Sequence, residues 1–162
     1  MSLAKPFIFR ATLPETDRAF ALVQQYYEEV GVLARDNRAE FIQQYFREGA
    51  GVWLASVGGQ AIGCVALRKL VALVDCGEIK RMYVRSGYRG RGIVELLLLE
   101  LTQYAKRSGY RWLYLDTTDR MVAARRFYER NGYHRCKRYN DNPQATIFMR
   151  KKIAGPDRSF TP

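Results

Sequence analysis

The sequence predicts an α/β chain of the α+β kind: a mixed, mostly antiparallel central sheet of about seven strands, about four flanking helices and one parallel strand pair. Three observations carry this. Seven short runs have strand character, and four longer ones repeat apolar residues every three or four positions. Gly58-Gly59 separates two of the strand-like runs at the length of a tight hairpin. Between Glu78 and Leu101 a strand leads through a glycine-rich turn into a helix, and a crossover of that kind makes the strands on either side parallel neighbours. At 162 residues, 48% of them hydrophobic, the chain has the size of one domain and the apolar content for its own core. No internal repeat or low-complexity linker divides it, so one domain is expected over 1–153, followed by a flexible tail over 154–162.

In chain order, Phe7 to Thr12 alternates as a first strand. Pro14, Glu15 and Asp17 start a helix carrying Phe20, Leu22, Val23, Tyr26, Tyr27 and Val30, and Gly31 closes it. A second helix begins near Asp36 or Asn37, sets Phe41, Ile42, Tyr45 and Phe46 at helical spacing, and ends at Gly49-Ala50-Gly51. Val52 to Val57 and Ala61 to Leu70 form the hairpin, and Gly77 to Val84 extends it as an antiparallel meander. After Gly92, Val94, Leu97, Leu98, Leu101, Tyr104 and Ala105 make a third helix; Lys106 and Arg107 suit its negative C-terminal end, and Gly109 stops it. Trp112 to Leu115 is the parallel strand. Met121 to Arg130 is the fourth helix, with Gly132 its stop, and Tyr133 to Tyr139 and Thr146 to Lys152 are strands joined across Asn140-Asp141-Asn142-Pro143.

Lys and Arg total 27 against 16 Asp and Glu, a formal charge of +11 that attracts polyanions. The arginines are dispersed, without zinc-finger spacing or an RNA-recognition signature, so no specific nucleic acid is expected. The most apolar run is interrupted by Glu95 and Glu100 and no charged-then-apolar leader opens the chain, so a cytoplasmic protein without membrane contact is expected. Cys64, Cys76 and Cys136 are odd in number and lack C-x-x-C spacing, which indicates reduced thiols and neither a disulfide nor a metal site. His134, the sole histidine, has no Ser or Cys nucleophile assignable to it.

The chemistry concentrates at Arg89-Gly90-Arg91-Gly92, directly before the third helix. The first turn of a helix offers unpaired backbone N–H groups and a partial positive charge, glycines admit a close approach, and the arginines add charge-assisted donors; together these suit a phosphate group. Neither the G-x-x-x-x-G-K-[ST] loop nor the G-x-G-x-x-G fingerprint is present. Arg89-Gly90-Arg91-Gly92-Ile93-Val94 resembles instead the R/Q-x-x-G-x-G/A motif of the GCN5-related N-acetyltransferases. Ala124-Arg125-Arg126-Phe127-Tyr128-Glu129-Arg130-Asn131-Gly132-Tyr133 resembles that family's downstream A-x-x-F-Y-E-x-x-G-F block. The resemblance runs from about Ala50 to Ile153.

The resemblance implies an acetyltransferase-type fold, acetyl-CoA as acyl donor without a metal, and a primary amine as acceptor. It places the cofactor pyrophosphate on Arg89, Gly90, Arg91, Gly92, Ile93 and Val94. It places the pantetheine amides and the reaction oxyanion on the main chain of Met82, Tyr83 and Val84, and adds Thr117, Ala124 and Arg130 to the cofactor site. Tyr128 would return a proton to the leaving thiolate. Glu78 stands at the spacing of the base glutamate of histone-type members; its alternative is a strand-start carboxylate paired with Lys80 or Arg68. An ordinary carboxylate, pKa about 4.3, is a weak base for an amine, so burial or a relaying water has to assist. Two positions depart from the family: Val94 replaces a small residue beside the phosphate, and Met121 stands where many members have Asn. Tyr26, Tyr27 and Tyr45 could line a substrate cleft, although aromatic residues at helical spacing are core more often than site; the helical region they belong to and its connecting loop shape the acceptor site in this family, which makes Arg35, Asp36 and Arg38 candidates. Competing readings are a non-catalytic CoA-binding module and a basic nucleic-acid binder, and a homodimer is left open.

Overall fold

The computed structural model describes residues 4–153. The expected tail, 154–162, lies outside the described residues. Seven strands form one sheet: β1 Phe7–Arg10, β2 Gly51–Val57, β3 Gln60–Lys69, β4 Cys76–Val84, β5 Trp112–Thr117, β6 His134–Arg135 and β7 Ile147–Lys152, in the spatial order β1-β2-β3-β4-β5-β7-β6. Four helices flank it: α1 Thr16–Val30, α2 Arg38–Tyr45, α3 Ile93–Arg107 and α4 Val122–Arg130. β4 and β5 are parallel, joined through α3, and the other neighbours are antiparallel. Among the described residues no helix is long and apolar enough to cross a membrane.

Local chemistry accounts for most element ends. Gly58 and Gly59 turn the hairpin at φ 57° and 80°, values open to glycine at little cost. Asn37 caps α2 by accepting from Glu40 N at 2.9 Å while Glu40 Oε2 accepts from Asn37 N at 2.8 Å. Each face of the sheet has its own apolar cluster. On one face Leu97, Leu98 and Leu101 of α3 and Phe127 and Tyr128 of α4 pack on Val65, Ile79, Leu113, Leu115 and Met149. On the other, Leu22, Val23 and Tyr27 of α1 and Phe41 and Tyr45 of α2 cover Val52, Leu54, Cys64 and Ala66.

Two irregularities shape the centre of the sheet. Cys64 pairs with Tyr83 and Ala66 with Lys80, so Arg81 and Met82 stand where β3 has only Val65; this is a β-bulge, with Arg81 at φ 58°. Close by, β4 and β5 pair only through Cys76↔Trp112, Gly77↔Leu113 and Glu78↔Tyr114. Beyond Glu78 the two strands part.

The strand expected over Tyr133 to Tyr139 is corrected to the two residues His134 and Arg135. Asn140 and Asn142 explain the departure: their side-chain carbonyls accept the N–H two residues on, Asn142 N and Gln144 N, each at 3.1 Å. These Asx turns lift the chain off the sheet as a loop that lies over the polar part of β4 and β5. Gln144 ties that loop to the α1–α2 connection, accepting from Leu33 N at 2.9 Å and donating to Gly31 O at 3.1 Å.

Candidate active site

The opening between β4 and β5 lies beside the head of α3. Gly90 and Gly92 take φ 76° and 77°, and Gly92 begins the helix with no side-chain cap, leaving the N–H groups of the first turn available. Ile93 is buried in the core and Val94 packs against it. Arg89 is turned away from this helix end: its Nε donates to Val84 O at 2.7 Å and its Nη2 meets Glu29 Oε1 of α1 at 2.5 Å. The bond to Arg89 holds the Glu29 carboxyl below its usual range. Arg91 is exposed, its guanidinium 5.3 Å from the centre of the Tyr88 ring.

Tyr128 comes to the same region from α4. It is buried, packed edge-on against Phe127 at 5.2 Å and Tyr133 at 5.3 Å, and burial followed by the neighbouring Tyr26 pushes its phenol up. The group therefore holds its proton near neutrality. Ala124, one turn earlier, is a small partly buried residue against the core, and Thr117 is buried at the end of β5. Arg130 stands apart, exposed at the last position of α4.

The face of the sheet toward α1, α2 and the roofing loop is polar at this point. Glu78 is 0% exposed. Its Oε1 accepts from Arg68 Nε at 2.8 Å, and its Oε2 from Tyr139 Oη at 2.7 Å and Asn140 Nδ2 at 3.1 Å. Asn140 Nδ2 also lies 2.6 Å from Asp116 Oδ2, so one nitrogen meets two carboxylates. Lys80 pairs with Asp116 at 3.4 Å across the parted strands. Arg68 continues through Gln44 to Asp36, at 2.5 and 2.9 Å, and Arg81 Nη2 reaches Asp36 Oδ2 at 3.5 Å. Burial, together with the Glu78 and Asp116 carboxylates, raises the Tyr139 phenol.

Of the sequence candidates, Glu78, Met82, Tyr83 and Val84 lie along β4 at and beyond the point where it parts from β5, the glycine turn follows at the start of α3, and Tyr128 packs in the cluster on the α3 side of the sheet. The Arg68 pairing expected under the alternative reading of Glu78 is present, while Lys80 pairs with Asp116 instead. Tyr26, Tyr27, Tyr45 and Asp36 reach the polar face. Arg35 and Arg38 do not; they pair on the surface with Glu28 and Asp17. Sequence reasoning missed Arg81, Asp116, Tyr139 and Asn140. Arg81 had a visible signal, since Lys80-Arg81 breaks the alternation of the strand. The other three are assembled only by tertiary contact.

Comparison with known proteins agrees with this fold. An uncharacterised N-acetyltransferase of Schizosaccharomyces pombe is 33% identical over 140 residues, 82% of this chain and 85% of that protein. The N-acetylaspartate synthetase of Xenopus tropicalis is 34% identical over 94 residues, 57% of this chain but only 34% of that protein. Among solved structures, N-acetylglutamate synthase from Neisseria gonorrhoeae, complexed with coenzyme A and N-acetyl-glutamate, superposes with a TM-score of 0.76 at 20% identity, covering 94% of this chain and 36% of that one. The model of the acetyltransferase (GNAT) family matches residues 16–133, and the chain belongs to that family.

Proposed function

We propose that this chain transfers the acetyl group of acetyl-CoA to a primary amine by direct attack in a ternary complex, with residues 1–153 as one catalytic domain. The observation that supports it most is the parting of β4 and β5 beyond Glu78↔Tyr114, which leaves a strand edge between an uncapped helix start and a buried polar face. An extended chain bearing amides fits such an edge by adding to it as a strand does, and a pyrophosphate fits the helix start. The N–H groups of Met82, Tyr83 and Val84 would pair with pantetheine and polarise the thioester carbonyl, while Gly90, Gly92, Ile93 and Val94 would face the phosphates, with Arg91 and a redirected Arg89. Acetyl-CoA supplies the activated acyl group; everything else is the work of the chain.

An alkylamine of pKa about 10.4 is only about one part in a few thousand neutral at pH 7, so a proton acceptor is needed. In the proposal the acceptor nitrogen displaces Asn140 Nδ2 from its place between Glu78 and Asp116 and loses its proton there, Glu78 being the base. The neutral amine adds to the thioester carbonyl, the C–S bond breaks as the adduct collapses and Tyr128 gives a proton to the sulfur; the second proton released by the nitrogen replaces the one Tyr128 gave, leaving amide plus free thiol. The reading needs no metal and suits a cytoplasmic compartment. Thiol release from acetyl-CoA across a panel of amines tests it, with initial-rate lines that intersect as both substrates are varied. Parallel lines would overturn direct transfer, and coenzyme A binding without turnover of any amine would favour a binding module.

A further inference from the structure

The acceptor side of this opening contains a cation that its surroundings leave underused. Arg81 sits at φ 58° in the bulge of β4, a conformation that is costly for a non-glycine residue and is found where the surroundings impose it. Its side chain is only 11% exposed. A guanidinium carries five N–H donors. Among the described residues those of Arg81 find one charged partner, Asp36 at the long distance of 3.5 Å, and Nε is buried with none. Arg68 is different, with Glu78 at 2.8 Å and Gln44 at 2.5 Å. Asp36 itself is shared, its Oδ1 taken by Gln44 at 2.9 Å. The rings of Tyr27 and Tyr26 lie 4.9 and 5.9 Å from the guanidinium carbon and steady a positive charge, and the Tyr26 hydroxyl is a neutral acceptor within its reach, so neither tyrosine brings a negative charge to it.

A second orphan lies in the same group. Tyr45 is 0% exposed, its hydroxyl has no partner among the described residues, and it is close enough to Arg81, Arg68 and Asp36 to feel their charges. An N–H and an O–H that both await an acceptor call for oxygen, and a guanidinium calls for negative charge. A planar carboxylate answers both, with two oxygens to accept from the guanidinium and the phenol. The residues around it already balance, since Arg68, Lys80 and Arg81 are matched by Asp36, Glu78 and Asp116. A zwitterion enters such a site without leaving net charge buried.

Building on the acyl-transfer reading above, we propose that the acceptor is an amine bearing a carboxylate, as an α-amino acid does. Arg81 and Tyr45 receive the carboxylate, and the nitrogen lies between Glu78 and Asp116. These two residues would then decide specificity rather than take part in bond making.

Matched sets of α-amino acids, their carboxamides and their decarboxylated amines test this by thiol release from acetyl-CoA, in the wild type, Tyr45→Phe and Arg81→Gln. Tyr45→Phe removes only the unpartnered oxygen and should fold normally. In the wild type, kcat/KM for the amino acids should exceed that for either neutral-tailed analogue by about 100-fold or more, as expected where a buried polar group is left unpaired by the wrong substrate. Tyr45→Phe should raise KM for amino acids about 10-fold with kcat and acetyl-CoA affinity unchanged, and Arg81→Gln should erase the preference. Equal use of decarboxylated amines by the wild type overturns the proposal, as does an equal loss for all acceptor classes in both variants. If no amine of any class is acetylated, the acyl-transfer reading fails, and calorimetric titration of amino acids into the CoA-bound protein judges the carboxylate site alone. Wild-type binding lost in Tyr45→Phe supports it, and absence of binding overturns it.

Discussion

Tyr128→Phe separates chemistry from packing at this site because the structure gives the hydroxyl little else to do. The ring is buried, with edge contacts to Phe127 and Tyr133 that phenylalanine retains, while burial and the neighbouring Tyr26, not a hydrogen bond, are what perturb the phenol. With no bond lost, stability should change by less than about 1 kcal/mol, a shift of no more than about 2–4 °C in Tm for a chain of this size. Affinity for acetyl-CoA should stay within about twofold. Turnover should fall about 100-fold, or about 2.7 kcal/mol of barrier, the middle of the range for losing a general acid. Single-turnover thiol release with an acceptor found in the panel measures the chemical step, and calorimetry measures the cofactor. An unchanged single-turnover rate would refute Tyr128 as the acid. A large fall in Tm with intact chemistry would make its hydroxyl structural.

Gly92→Asp should weaken acetyl-CoA by at least about 10-fold in calorimetric titration. A Cβ there has room, its nearest neighbour being Glu95 Oε2 at 3.9 Å, but φ 77° is strained for any L side chain and the new carboxylate faces the proposed phosphate site. An unchanged Kd removes the turn from the cofactor site. Glu29→Ala should tighten acetyl-CoA by up to about fivefold at low salt, because the half-exposed Arg89–Glu29 pair is worth no more than about 1 kcal/mol and its loss frees Arg89 for phosphate; weaker binding would make the pair a structural brace. At alkaline pH, burial raises the Tyr45, Tyr128, Tyr133 and Tyr139 phenols above the value of about 10 that each has once unfolded. Above pH 10 the native state binds more protons than the unfolded one, so stability falls as pH rises, and a corresponding part of the phenolate absorbance near 295 nm should appear together with loss of circular dichroism. Full ionisation of all tyrosines before unfolding would contradict the buried placement.

The legible parts of this fold are those encoded over a few residues. Gly58-Gly59, the helix start near Asn37 and the glycines before α3 act on their own backbone, so their sequence signals and their structural effects coincide. The glycine turn of the first motif block and the helix of the second were legible for the same reason. The roof was not legible, because Tyr139 has strand propensity and the contacts that hold its loop over β4 and β5, those of Tyr139, Asn140 and Asn142 with Glu78 and Asp116, are tertiary. Arg35, Asp36 and Arg38 were all candidates because this region shapes the acceptor site in the resembled family, yet a turn and a helix start send neighbouring side chains in different directions. Asp36 faces Arg81, while the two arginines remain with surface carboxylates.

The bulge in β4 links the two halves of the site. Under strict alternation Glu78, Lys80, Met82 and Val84 would share one face, and Ile79, Arg81 and Tyr83 would lie in the apolar core beneath α3 and α4. That register would bury a guanidinium and a phenol among leucines, at a cost no neighbouring oxygen offsets. One extra residue resolves the conflict. Ile79, Met82 and Val84 pack on the α3 side, while Lys80 meets Asp116, Arg81 meets Asp36 and Tyr83 packs toward α1. The hydrophobic pattern of the strand therefore selects the bulge, much as it selects register elsewhere in a sheet. The same insertion falls just beyond Glu78, where β4 leaves β5. A free strand edge on one side and an underused arginine on the other thus follow from one local event. A substitution such as Arg81→Val, which removes the reason for the bulge, should disturb cofactor binding along with acceptor choice, whereas Arg81→Gln, still polar, should spare the cofactor.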